Sequence, residues 1–272
     1  MGQKMITDWD DAYQNAAYID GAEAYPVKWA AAAARFRADT PPEVLSYGAG
    51  ARQQTDLFLP NRTPTALTVY IHGGYWKAFH RHDWSHLAAG PLSLGHAVAM
   101  PSYTLAPDAT VSEISAEMVA AIIQLASRID GPIYLTGHSA GGHLVTRLAC
   151  AGVLPAKVAA RIAHVVSISG VHDLRPLLNT NINDVLKMSE AEAVAQSPAL
   201  AIPVPGTRLT AIVGTKERPE FRRQTDLLAN IWEGLGAATR TCHLPGAHHF
   251  NVIDGLAKAD SSLMKLLLNP PG

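Results

Sequence analysis

The segment Ile133-Tyr-Leu-Thr-Gly-His-Ser-Ala-Gly-Gly-His143 constrains this chain more than any other, because an apolar run leads directly into the pattern Gly-x-Ser-x-Gly. Gly137, Ser139 and Gly141 fit a tight strand-to-helix turn with the serine at its apex. A side chain two positions before or after that serine would collide with the crossing backbone, which is why both positions are glycine. The pattern therefore asks for a strand before it and a helix after it, and it nominates Ser139 as a nucleophile. Five matching residues also describe an ordinary glycine-rich turn, so the rest of the chain has to decide between the two.

An earlier apolar run, 66–71, ends in His72-Gly-Gly-Tyr-Trp76 and reads as a buried strand entering a loop. Glycines there let backbone N–H groups come close to a reacting carbonyl, as oxyanion donors must. Near the C-terminus, Pro245-Gly-Ala-His-His-Phe250 follows another apolar stretch. A serine nucleophile needs an imidazole to take its proton, and a late histidine fits the chain order serine, acid, histidine. His248 and His249 are both candidates at this point.

Between these motifs the chain alternates apolar strands with helical segments. Strands are predicted at 45–47, 55–59, 66–71, 97–100, 133–136, 165–169, 209–213 and 239–243. Helices are predicted at 112–128, from 141 onward, around 221–235 and at 252–268. The rhythm implies an α/β fold with a mostly parallel sheet of about eight strands and helices on both faces. Ligands of such sheets bind at the C-terminal strand ends, and His72, Ser139, Asp173, Glu217 and His249 all follow predicted strands. The stretch 177–201 breaks the rhythm and is expected to form a small cap. Residues 1–40 are expected to be a helical, aromatic-rich leader carrying Trp9, Tyr13, Tyr18, Tyr25 and Trp29. Those rings either pack on the core or help to roof an aromatic pocket.

At 272 residues one domain spanning 1–272 is expected. A net charge of −1 with 17% charged residues gives no electrostatic reason for nucleic acid or an anionic membrane as partner. Two cysteines, Cys150 and Cys242, do not make a disulfide framework. The N-terminus has no apolar core of a signal peptide, and no window approaches the eighteen or so apolar residues of a membrane span. A cytoplasmic enzyme acting on a small molecule is expected, with a homodimer as a possible assembly.

Taken together, His72-Gly-Gly-Tyr-Trp76, Gly137-His-Ser-Ala-Gly-Gly-His143, Ser169-Gly-Val-His-Asp-Leu174 and His248-His-Phe-Asn-Val252 resemble the kynurenine formamidase branch of the α/β-hydrolases, which borders the HGG-type esterases. The resemblance covers roughly residues 45–265. It implies the α/β-hydrolase fold and hydrolysis of an aryl formamide, typified by N-formylkynurenine, without metal or other cofactor. It also selects His249 as base, since the family's histidine directly precedes phenylalanine.

The acid is less regular. The loop Gly214-Thr-Lys-Glu-Arg-Pro-Glu220 carries Glu217 where the branch commonly has aspartate, and a buried glutamate of suitable reach can orient the imidazole equally. Asp173 is the alternative, against pairing with Arg175. The expected catalytic set is Ser139, Glu217 and His249, with an oxyanion hole from the N–H groups of Gly74, Tyr75 and Ala140. Trp76 and Tyr103 are candidate substrate contacts, against burial in the core. His82 and His86 would form an i, i+4 metal pair if helical, but no glutamate follows His82 in the HExxH manner. A carboxylesterase or another amidase or carbamate hydrolase would use the same residues, and a non-catalytic binding protein on this scaffold is the remaining alternative.

Overall fold

The computed structural model describes residues 6–272. Eight strands form one sheet: β1 Glu43–Ser46, β2 Gln54–Phe58, β3 Leu67–Ile71, β4 Ala97–Pro101, β5 Ile133–His138, β6 Ile162–Ile168, β7 Arg208–Gly214 and β8 Ala238–Leu244. They lie in the order β1-β2-β4-β3-β5-β6-β7-β8. The β1/β2 and β2/β4 pairs are antiparallel, and every later pairing is parallel.

The apolar runs of the sequence become central strands because such strands must be covered on both faces. In β3 and β4 every residue is buried, and successive side chains enter opposite layers. Leu67, Val69 and Ile71 join one core with Ala97 and Ala99, whereas Tyr70, Val98 and Met100 join the other. The first layer is completed by helices Val111–Arg128, Ala140–Leu148 and Pro219–Gly234. The second takes Trp29 of helix Tyr25–Asp39 and Leu263, Met264 and Leu267 of helix Ser262–Leu268.

Helix Val111–Arg128 shows how local sequence fixes an element. Thr110 caps it by accepting from the Glu113 N–H, and the Glu113 carboxylate returns to the Thr110 N–H. Val111, Ile114, Met118, Ile122 and Leu125 then form one buried stripe at helical spacing. The chain end departs from expectation. Instead of one helix over 252–268 there is a 3-10 turn, Asp254–Ala257, and a separate helix, Ser262–Leu268. Ser261 causes the break: its hydroxyl caps the second helix at the Met264 N–H and also donates 2.7 Å to the Gly255 carbonyl.

The 177–201 stretch forms short helical turns, including Asn183–Leu186 and Glu190–Gln196. It packs on the first layer through Leu186, Met188 and Ala193. The Glu192 carboxylate accepts from the Ser112 N–H at 2.9 Å, and the Gln196 carbonyl bonds the His143 ring at 2.7 Å. No helix among the described residues is long and apolar enough to cross a membrane.

Candidate active site

Ser139 sits at the end of β5 as the N-cap of helix Ala140–Leu148, with φ 56° and ψ −117°. Such a conformation costs a non-glycine residue on the order of 1–3 kcal/mol and persists only where its surroundings enforce it. Here the Ser139 N–H donates to Ile168 in β6 at 2.8 Å, and its carbonyl accepts from the His143 N–H at 3.1 Å. The flanking glycines are dictated by close approach. A Cβ on Gly137 would lie 2.2 Å from the Gly141 carbonyl oxygen, and one on Gly141 would lie 1.9 Å from that of Ile71.

Parallel pairing sets Ile71 opposite Gly137, so the loop leaving β3 runs beside the serine turn. The Gly73 backbone packs directly against His138 and Ser139. In this loop the N–H groups of Gly74 and Tyr75 donate to no carbonyl among the described residues. The Ala140 N–H opens a helix and likewise has no helical acceptor. Three backbone donors are thus unspent around Ser139.

The loops after β7 and β8 bring Glu217 to His249. The imidazole Nδ1–H donates to Glu217 Oε2 at 2.6 Å, leaving Nε2 with its lone pair. The other carboxylate oxygen accepts from the Ser169 hydroxyl at 2.5 Å and from the Gly214 N–H at 2.8 Å. Glu217 and His249 are both buried. The remaining candidates are engaged elsewhere. His248 Nδ1 accepts from the Phe250 N–H at 3.2 Å, so Nε2–H faces the Tyr25 hydroxyl at 3.1 Å. Asp173 is held by Arg175 at 2.9 and 2.8 Å, and Glu220 by Arg223 and Tyr13.

A cavity of about 210 Å³ opens above these groups, with Ser139, His138, His249, Gly73, Gly74 and Tyr75 among its lining residues. Its walls are aromatic: Trp29, Phe79, Trp84 and Phe250. Burial, and next the neighbouring His249, hold the His138 ring well below the ordinary histidine range, so it is neutral. The N-terminal segment completes the enclosure with Tyr13, Gln14, Asn15, Ala16 and Pro26. Its aromatic residues therefore do both things the sequence allowed, since Tyr13 and Trp29 are buried in the cores and also face the cavity. By contrast, none of residues 177–201 lines this cavity, and the expected cap lies on the outer side of the first layer instead.

Two expected substrate contacts are displaced. Trp76 is fully buried and meets His143 edge to face at 5.1 Å. Consecutive positive φ values at Tyr75 and Trp76, 47° and 55°, turn the loop so that Tyr75 faces the cavity and Trp76 the core. Tyr103 stacks on His72 at 4.5 Å and donates to the His72 carbonyl at 3.1 Å, beneath the loop. His82 and His86 do not share a helical face, because the chain there forms two 3-10 turns, Arg81–Asp83 and Ser85–Ala88. In sequence Ser169 is only the first residue of a family-like stretch, with no role given to it, and Asn15 carries no distinguishing signal. Ser169 matters through the register of β6 and β7, and Asn15 through the docking of a distant segment.

Residues 68–250 match the family described as the alpha/beta hydrolase fold. The chain is 32% identical to the kynurenine formamidase of Salmo salar, over 84% of its own length and 81% of that protein's. It is also similar to a crystal structure from Silicibacter sp. tm1040, provisionally described as a thioesterase. That chain is 47% identical, with a TM-score of 0.92 over 96% of this chain and 99% of that one. An esterase from Pyrobaculum calidifontis, 18% identical with a TM-score of 0.67, covers 86% of this chain and 85% of its own and shares the fold.

Proposed function

The chain belongs to the α/β-hydrolase family, in the kynurenine formamidase branch, and we propose that it removes the formyl group from a small aryl formamide such as N-formylkynurenine. It is an enzyme that hydrolyses amides or esters. In the proposed mechanism His249 Nε2 takes the Ser139 proton as the serine oxygen bonds to the formyl carbon. The carbonyl oxygen becomes an oxyanion that accepts from the N–H groups of Gly74, Tyr75 and Ala140. Glu217 fixes the His249 tautomer and stabilises the imidazolium. Collapse breaks the C–N bond as His249 returns the proton to the aniline nitrogen, and the arylamine leaves. Water then attacks the formyl ester with His249 as base, and formate departs as Ser139 regains its proton. No step uses a metal or a cofactor.

The observation that carries this reading is the small aromatic cavity with Ser139 and His249 together in its lining. Its dimensions suit an aryl ring with the smallest acyl group, and a longer acyl chain would meet Tyr75 and the glycine loop. A second reading has one observation in its favour, the 47% identity to the chain described as a thioesterase. The same residues would cut an ester or thioester. Parallel assays on N-formylkynurenine, p-nitrophenyl acetate and butyrate, and an acetyl thioester separate the two. The highest kcat/KM is expected on the formamide, and ester or thioester turnover without formamide turnover would reject the proposal. Ser139→Ala is expected to lower kcat by about 10³-fold or more while leaving the melting temperature near wild type.

A further inference from the structure

The cavity over Ser139 is mostly apolar, yet away from the serine and the histidines its lining includes two polar side chains with no strong partner, Asn15 and Lys77. Asn15 is buried, 6% exposed, and its Nδ2 has no hydrogen-bond partner within 3.5 Å among the described residues, the Tyr75 hydroxyl being its nearby polar neighbour. Lys77 lines the same cavity, half-buried. It forms no ion pair among the described residues. Among the described residues no aspartate, glutamate or arginine lines the cavity. Among the described residues Lys77 is therefore the one permanently charged side chain in the wall, and no carboxylate in the lining opposes it.

A buried polar group that lacks a partner calls for an explanation, because native interiors pair nearly all of theirs. An amide N–H and an ammonium share one chemistry, donation to carboxylate oxygens. Aromatic walls keep the local dielectric low, so a single cation there selects the sign of a ligand's charge more strongly than it would in water. We infer that Lys77 and Asn15 form a carboxylate-recognition subsite, so that the enzyme's substrates carry an anionic side chain on the aryl body. For its scissile group this rests on the formamidase reading, but the charge preference belongs to the cavity and holds whichever acyl bond Ser139 cuts.

The test uses two matched pairs: 3-(2-formamidophenyl)propanoate with its carboxamide, and 3-(2-acetoxyphenyl)propanoate with its carboxamide. Each pair differs only in the charge at the side-chain terminus. Wild-type enzyme is expected to prefer the carboxylate member by about tenfold or more in kcat/KM, the range expected for a charge-assisted hydrogen bond. The preference should lie mainly in KM. Lys77→Met and Asn15→Leu are each expected to shrink that ratio, and Lys77→Glu to invert it, in proteins whose melting temperatures match wild type. A wild-type ratio near one, or a ratio that Lys77→Glu leaves unchanged, overturns the subsite. If the formamide pair is not hydrolysed while the acetate pair keeps a Lys77-dependent preference, the formamidase reading falls and the subsite stands. Formamide turnover without charge preference gives the reverse.

Discussion

Glu217 is held by three donors, the His249 Nδ1–H, the Ser169 hydroxyl and the Gly214 N–H. One carboxylate oxygen serves the histidine, and the other is pinned by groups at the ends of β6 and β7. Ser169 adopts φ 52°, a strained value that aims its hydroxyl at the carboxylate. We expect Ser169→Ala to lower kcat about tenfold, with KM nearly unchanged, because it loosens the orientation of His249 and touches nothing in the cavity. Glu217→Gln should cost more, about 10³-fold, since the amide no longer enforces the tautomer that leaves Nε2 free. Steady-state kinetics on both variants check this, and a Ser169→Ala effect confined to KM would contradict it. Sequence favours Glu217 over Asp173, both of which follow predicted strands, and the contact with the His249 Nδ1–H falls on Glu217. The contact of Ser169 with that carboxylate was not legible, since only the pairing of β6 with β7 brings residues 48 positions apart together.

At the scale of elements, the serine turn is built by three pieces of backbone in contact, the end of β3, the end of β5 and the first turn of helix Ala140–Leu148. A Cβ at Gly141 would stand 1.9 Å from the Ile71 carbonyl oxygen and 2.7 Å from that of His72. Neither is a flexible side-chain end, so the helix or the strand must shift. Gly141→Ala is expected to destabilise the protein by roughly 2–4 kcal/mol and to abolish turnover. Gly234→Ala makes the matched control, because a Cβ at the end of helix Pro219–Gly234 meets nothing within 4 Å. It should be neutral or slightly stabilising, and thermal melting of the two variants decides. Elements that bury uniformly apolar runs were readable from pattern alone, which is why β3, β4 and β5 lie close to where sequence puts them. The final helix was misread because the cap at Ser261 competes with helical continuation only once Gly255 lies near enough to accept from it. The cavity wall was readable as composition but not as position. Five aromatic residues before residue 30 announce apolar surface, yet Asp11 pairing with Arg218 and Tyr13 donating to Glu220 decide where it docks.

Across the whole molecule, acid stability follows from where the histidines sit. Loss of hydration on burial, its largest cause in each case, holds His72, His143 and His164 down at about 4 and His172 at about 3. In an unfolded chain each would titrate near 6.5. The unfolded state therefore binds protons that the folded state refuses, and stability falls as pH drops from about 6.5 toward 4. Below that range the folded forms protonate as well, and these groups add no further loss. Taken individually, each histidine is worth on the order of 1–3 kcal/mol across the window. Asp254 works weakly in the opposite sense: partial desolvation raises it to about 6, so the folded state binds its proton first between about 6 and 4, but its side chain is exposed and water screens most of the effect. We expect the melting temperature to fall steeply between pH 6.5 and 4.5. Asp254→Asn should leave it nearly unchanged at pH 7.5 and steepen the acid loss only slightly, because water screens this exposed carboxylate. Calorimetric melts of both proteins over pH 4.5–7.5 measure this, and a wild-type curve flat down to pH 4.5 would mean that the four imidazoles take up protons without unfolding the chain.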